Sequence, residues 1–193
     1  FIAYNAGSFI SLYTEELYRF DEYYRLYYQY LAMPDVAGKL SPLTHKVEET
    51  YTGWFLPILA SAWTPFVERS LLSKWEIPGI IGQRDFYSRV VAPILASSHK
   101  PRVAVIISDA LRYEAAKELA GNINRRDNTK AEISSLFGVL PSYTALGMAA
   151  LLPHDQLDFD HNGNLIVDGK STQGIASRDQ ILQVNNGLAI SAE

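Results

Sequence analysis

Two places in the chain put reactive oxygen where a cation and a phosphate ester can meet. Asp109 comes just after the apolar run Val103-Ala104-Val105-Ile106-Ile107, and Ser142 and Thr144 follow Pro141 in LPSYTALGMAALLP. A carboxylate is a hard donor for a divalent cation. A hydroxyl beside a cation loses its proton more readily and becomes a nucleophile toward phosphorus. Unsatisfied amides at a helix start add a preference for anions. These residue types together suit metal-assisted phosphoryl chemistry. Each also has a purely structural use: Asp109 can cap the helix that follows it, and Ser142 or Thr144 can cap theirs.

Other chemistry-bearing residues group less well. Asp158, Asp160, Asn162 and Gly163 match the opening of a calcium-binding loop, with Leu165 at its apolar position. The twelfth position is Gly169 where that loop needs a bidentate acid, with Asp168 one residue early. Asn162-Gly163 between LDFDH and NLIVDG reads instead as a hairpin turn. The histidines are His45, His99, His154 and His161, and none stands in an Asp-x-x-x-His or Asp-His pair. Tyrosine is concentrated between Tyr13 and Tyr30, but at a packing period and with few interleaved cations. That favours a packed helix over a base-stacking platform.

The elements that must position these residues fall into two regions. Phe9, Tyr13, Leu17, Phe20, Tyr24, Tyr27 and Leu31 keep a helical spacing and predict a helix from Ser8 to Leu31. Leu43, Val47, Tyr51, Trp54, Ile58, Ala62 and Phe66 predict a second, with Pro57 kinking it. Asp85 can cap a third helix through Ser97. Residues 1–100 therefore read as a mainly helical region, and residues 101–193 as an α/β region, with the boundary near Ser97–Pro101. Val103 to Ile107 reads as a strand covered on both faces, as in a parallel sheet. A helix from Ala110 to about Ala120 would turn Leu111, Ala115 and Leu119 inward, with Gly121-Asn122 as its stop. Asp109 would then lie outside the carboxyl end of a central strand, where open α/β sheets place ligands. Ala131 to Leu140 reads as a looser strand-like segment, and a short helix is expected over Ser177–Leu182.

Composition limits the alternatives. The 193 residues carry a formal net charge of -4, so the total does not indicate a strongly basic nucleic-acid surface. The absence of cysteine excludes disulfides and thiolate metal sites and fits a cytoplasmic protein. The run Gly53–Trp63 is too short to span a bilayer and contains Pro57. The first residue is Phe1 rather than Met, which suggests a fragment, so motifs missing here are expected outside it.

SDALRYE, then LPSYTALGMAALLPH, then VDGKST and Arg178, resemble the PglZ family of bacterial BREX phage-exclusion systems. The likeness runs from about Val103 to Leu182. It implies an alkaline-phosphatase-like fold with a mainly parallel sheet, only part of which is here. It also implies two divalent metal ions, zinc first with manganese or magnesium as alternatives. The resemblance makes Asp109 a metal ligand. It puts Thr144, in a Pro-x-x-Thr context, at both the metal and the nucleophile position. Ser142 is the second choice for the nucleophile and otherwise a substrate-binding residue. Arg112 either binds a phosphate oxygen or serves a structural pairing, with the pairing slightly favoured. Further Asp and His ligands are expected beyond residue 193, so the chain by itself looks incomplete as an enzyme. The implied partners are other BREX components such as a DNA methyltransferase, with DNA as a further candidate and no membrane.

Three functions compete. The first is a metal-dependent phosphatase or phosphodiesterase with a threonine nucleophile. The second is a non-catalytic scaffold of the defence complex, suggested by the aromatic helical region. A calcium sensor ranks last.

Overall fold

The computed structural model describes residues 3–99, 101–126 and 129–191. In chain order its α-helices are α1 (Ala6–Leu12), α2 (Tyr18–Leu31), α3 (Pro34–Leu40), α4 (Thr44–Glu48), α5 (Leu56–Phe66), α6 (Ala92–Leu95), α7 (Tyr113–Asn124), α8 (Thr144–Ala150) and α9 (Gly174–Gln183). Three strands lie between α8 and α9: β1 (Leu157–Phe159), β2 (Leu165–Val167) and β3 (Lys170–Ser171). Contacts divide the chain into two compact units, Phe1–Pro78 with Ala110–Ser135, and Gly79–Asp109 with Leu136–Glu193. This division differs from the compositional boundary near Ser97–Pro101. It takes the segment carrying α7 into the helical unit and Gly79 onward into the other.

The first unit is built from helices whose apolar stripes meet. Asn5 starts α1 with a reciprocal cap: its side chain accepts from the Ser8 amide at 2.8 Å, and Ser8 Oγ accepts from the Asn5 amide at 3.0 Å. A π-helical stretch, Tyr13–Leu17, joins α1 to α2, so the helix predicted over Ser8–Leu31 runs without a break. A second π-helical stretch, Glu49–Phe55, joins α4 to α5 and comes just before Pro57. Proline lacks the amide hydrogen an α-helix needs there, and the widened turns lie where that bond is missing. The stripe rings pack face to face. Phe20 stacks on fully buried Phe55 with centroids 4.3 Å apart, and Tyr24 on Tyr51 at 3.8 Å. Leu17 completes this core.

α7 corrects one expectation. It begins at Tyr113 rather than Ala110, because Ala110 takes a left-handed backbone with φ 57°. Leu111 and Leu119 are each about half exposed (49% and 50%), and the buried residue of the helix is Glu114. Ion pairs of Glu114 and Glu118 with Arg25, together with the Tyr113 ring set edge-on to Tyr18 at 5.7 Å, hold this helix against α2.

The second unit has a smaller, aliphatic core. Leu146, Ala149 and Ala150 of α8 pack with Val139 and with Leu165 of β2. Leu152, Val167 and Ile181 form a neighbouring cluster. The mainly parallel sheet expected of an alkaline-phosphatase-like fold is not what forms among the described residues. The sheet is antiparallel, ordered β1-β2-β3, with Leu157 opposite Val167 and Val167 opposite Lys170. Tight turns close such pairs locally, whereas parallel neighbours must be brought in by long crossovers. Val103 to Ile107 has no such neighbour among the described residues. Val105, Ile106 and Ile107 stand 48%, 86% and 47% exposed. Parallel pairing survives at one bridge, Gly82 beside Phe137.

The hairpin expected at Asn162-Gly163 forms, with Gly163 at φ 78° as such a turn requires. Asp160 holds it, accepting from the amides of Asn162 and Asn164, each at 2.8 Å, and from Asn164 Nδ2. Those donors lower the Asp160 carboxyl pKa. The acids that mimic a calcium loop are thus engaged by their own backbone.

Candidate active site

Asp109 and Thr144 come together although 35 residues separate them: Thr144 Oγ1 donates to Asp109 Oδ2 at 3.1 Å. Both residues belong to the second unit and both are exposed. Neither acts as a simple helix cap. The helix after Asp109 has Arg112 at its N-cap, because the left-handed turn at Ala110 delays it. The helix α8 has extended Tyr143 at its N-cap without a side-chain cap bond, and Thr144 is its first residue. Asp109 and Thr144 therefore have their polar atoms directed at each other. Ser142 lies exposed two residues earlier.

What holds α8 in place starts with its packed face, where Leu146, Ala149 and Ala150 are nearly or fully buried. The arc Leu140–Ala145 before and around its start is exposed throughout. Gln83 engages both ends of that arc. Its Oε1 accepts from the Val139 amide at 3.1 Å, and its Nε2 donates to the Gly147 carbonyl at 3.0 Å. The Gln83 backbone is fixed as well, with its amide on the Phe137 carbonyl at 2.8 Å. Gln83 carries no local signal, because its contacts lie 56 and 64 residues away in the chain.

The donor set fits part of a metal site. A carboxylate and a threonine oxygen are both hard donors suited to a divalent cation. Zinc takes four ligands, and among the described residues no group of three or more His, Asp or Glu side chains comes together to hold an ion. Three of the four histidines have other contacts. His154 Nδ1 donates to the Leu152 carbonyl at 2.7 Å, His45 lies 3.7 Å from Glu49 one turn on, and His99 pairs with Ser98.

Arg112 sits within the first unit on two acids. Its Nη2 is 3.0 Å from Asp21 Oδ1, and its Nε is 3.1 Å from Glu114 Oε1. It also donates to Tyr51 Oη at 3.2 Å. Asp21 accepts from Tyr13 and Tyr51 at 2.5 Å each. Burial, then the bond to Asp21, pushes both phenols above the ordinary tyrosine pKa. Arg25 approaches Glu114 at 3.7 Å. The Glu114 contacts are close in distance but poorly aligned, since neither of its buried oxygens has a hydrogen-bond partner of good geometry.

The second half of the chain has a clear family match. The BREX system PglZ alkaline phosphatase-like domain matches residues 86–193, more than half of the chain. The chain is 43% identical to "Alkaline phosphatase-like protein BrxZ" of Escherichia coli O9:H4 (strain HS), over 98% of the chain and 22% of that protein. It is 36% identical to "Alkaline phosphatase-like protein PglZ" of Bacillus cereus (strain H3081.97), over 88% of the chain and 20% of that protein. The chain thus spans about a fifth of the length of these curated relatives. No solved structure matches it. Among the described residues, no helix is long and apolar enough to cross a membrane. By its match over residues 86–193, the chain belongs to the PglZ family of BREX alkaline phosphatase-like domains.

Proposed function

We propose that the chain carries the nucleophile-bearing part of a metal-dependent phosphoesterase, a phosphatase or phosphodiesterase acting in a bacterial BREX phage-defence system. The observation that carries this reading is the Thr144–Asp109 contact at 3.1 Å on an exposed surface. The family description and the names of both relatives, alkaline phosphatase-like, support it.

Asp109 and Thr144 would hold one divalent ion, zinc with manganese or magnesium as alternatives, and longer family members would supply the remaining ligands. Such an ion, when bound, supplies the positive charge that lowers a hydroxyl pKa and neutralises phosphoryl oxygens. Thr144 would present its Oγ1 to phosphorus for in-line attack, its proton passing to solvent as the P–O bond to the ester's leaving oxygen breaks, and water would then hydrolyse the phosphothreonine to free phosphate and Thr144. Asp109 orients that oxygen by accepting its hydrogen bond. Ser142, exposed beside it, offers a donor to a substrate oxygen. Arg112 is the weaker candidate for substrate, since reaching a phosphate would cost it Asp21, Glu114 and Tyr51. We assign it to structural pairing.

The test uses the longer protein with model phosphate esters, with and without zinc or manganese. Thr144→Ala and Asp109→Ala should each reduce metal-dependent turnover by at least a hundredfold, and Thr144→Ser should keep a measurable part of it. Full turnover in both alanine variants would remove these roles. A scaffold reading, with partners among the other BREX components such as a DNA methyltransferase, or with DNA, draws on the aromatic first unit. Selective partner loss on substitution of exposed Trp54 or Tyr23, with turnover retained, would favour it.

A further inference from the structure

We propose that Gln83 is a positioning residue of the Thr144 site, a side-chain staple that closes the exposed arc carrying Ser142 and Thr144. This inference rests on the reading of Thr144 as nucleophile, and it goes beyond that reading by naming what fixes the hydroxyl.

The arc needs such a device. Leu140–Ala145 is exposed throughout, so side-chain packing does little to choose one conformation for it. The residues flanking it, Val139 and Leu146, are buried at 6% and 2% exposure. Between those anchors the backbone would be free to shift, and Thr144 with it. Gln83 ties the two sides together with one amide group, accepting from Val139 N–H and donating to Gly147 C=O.

The Gly147 carbonyl is available for a geometric reason. It lies in the last turn of α8, where carbonyls lack helical partners. The Leu151 amide turns instead to the Met148 carbonyl at 3.3 Å. Thr144 and Gly147 are three residues apart in α8, so they share a face of the helix. A grip on Gly147 therefore restrains the turn that begins with Thr144.

Glycine at 147 is part of the same device. A Cβ there would meet Gln83 Nε2 at 3.2 Å, tighter than ordinary contact. Alanine is otherwise the better helix residue by about 1 kcal/mol. The absence of a side chain at Gly147 thus gives the Gln83 amide room to reach the helix backbone.

The staple also has a stiff base. The Gln83 amide donates to the Phe137 carbonyl, and the Phe137 amide donates to the Ile81 carbonyl at 2.9 Å. This is the parallel bridge of the unit. Three bonds from one residue thereby reach Phe137, Val139 and Gly147.

Two measurements test it. In the 193-residue chain, exchange at the Val139 amide, which donates to Gln83 Oε1, and at the Gly147 amide, which donates to the Tyr143 carbonyl, should quicken about tenfold or more in Gln83→Met, which keeps the volume and loses both side-chain bonds. The thermal midpoint should move by only a few degrees. Gly147→Ala should quicken the same amides with Gln83 present. In a Gln83→Ala background it should slow them, because only the gain in helix propensity remains. In the longer protein, Gln83→Met should lower kcat about tenfold with KM unchanged, while Gln83→Glu, which keeps only the Val139 bond, should fall between.

Unchanged exchange in Gln83→Met, or additive effects of the two substitutions, would overturn the staple. So would a rise in KM at constant kcat, which would mark Gln83 as a substrate contact instead. If the wild-type longer protein shows no turnover dependent on Thr144, the phosphoesterase reading falls. The exchange experiment still decides whether Gln83 holds the arc.

Discussion

The two units satisfy their apolar residues differently. In the first, large rings at helical spacing find partners on the next helical run, and Phe55 is removed from solvent completely. In the second, the apolar run Val103–Ile107 stays largely outside, with Ile106 at 86% exposure. Its core rests on smaller groups such as Ala149 and Ala150. The difference follows from the geometry of the elements. A helix closes its backbone bonds by itself and needs one neighbour for its stripe. A strand from the middle of a parallel sheet needs neighbours at both edges and cover on both faces. The relatives are about five times longer, so they have far more chain from which such neighbours can come.

Tryptophan fluorescence can test this contrast, because Trp54, Trp63 and Trp75 all lie in the first unit. The largest expected effect is that of Phe55→Ala. Loss of the buried ring and its stack on Phe20 should destabilise the first unit by about 3–5 kcal/mol, read as a lower urea midpoint in fluorescence. A shift under 1 kcal/mol would mean that the aromatic cluster is not the keystone.

Glu114→Ala comes next. It removes the buried acid that sits by Arg112 and Arg25, at an expected cost of about 2–3 kcal/mol on the same probe. That is below the range for a fully buried pair, because Arg112 reaches solvent. A neutral or stabilising result would show that the poorly aligned ion pairs merely offset their own desolvation.

The third effect is alkaline. Tyr13 and Tyr51 have folded pKa values raised above the unfolded value near ~10. Their contribution is complete below about pH 10 and is lost as the pH rises through the folded values. The fluorescence midpoint should therefore fall above pH 10, and Tyr13→Phe should flatten that fall. The smallest effect belongs to Ile106→Lys, which lies in the second unit, where no tryptophan reports; its urea midpoint by far-ultraviolet circular dichroism should stay within about 0.5 kcal/mol of wild type. A large loss there would mean that the apolar run is covered in the 193-residue chain, and the contrast between the units would disappear.

Local features of the fold were legible in the sequence; distant partnerships were not. The stripe from Phe9 to Leu31 announced its helix, because the period is written in neighbouring residues. Asn162-Gly163 announced its turn for the same reason. The sheet was not legible: Val103–Ile107 has the composition of a buried strand, yet it forms none among the described residues, and the strands that do form are local antiparallel pairs. Leu111 and Leu119 suggested the wrong inward face for α7. The buried acid Glu114 depends on Arg112 close by and on Arg25 far up the chain. Of the candidate site, Asp109 and Thr144 stand out by residue type and family resemblance, and their side chains lie 3.1 Å apart. Gln83 was invisible, because glutamine has no special chemistry until its two amide ends meet two separated backbone groups.

The short string Asp109–Glu114 carries two unrelated burdens. Its first residue faces the threonine of α8, while Arg112 and Glu114 reach acids and phenols of a different unit. If Thr144 is the nucleophile as proposed, a mutational scan of that string in the longer protein should therefore return two phenotypes side by side: stable protein with lost turnover at the start, and poor yield of protein a few positions later. Intolerance to change in a short motif measures how many tasks it serves, and only some of them concern chemistry.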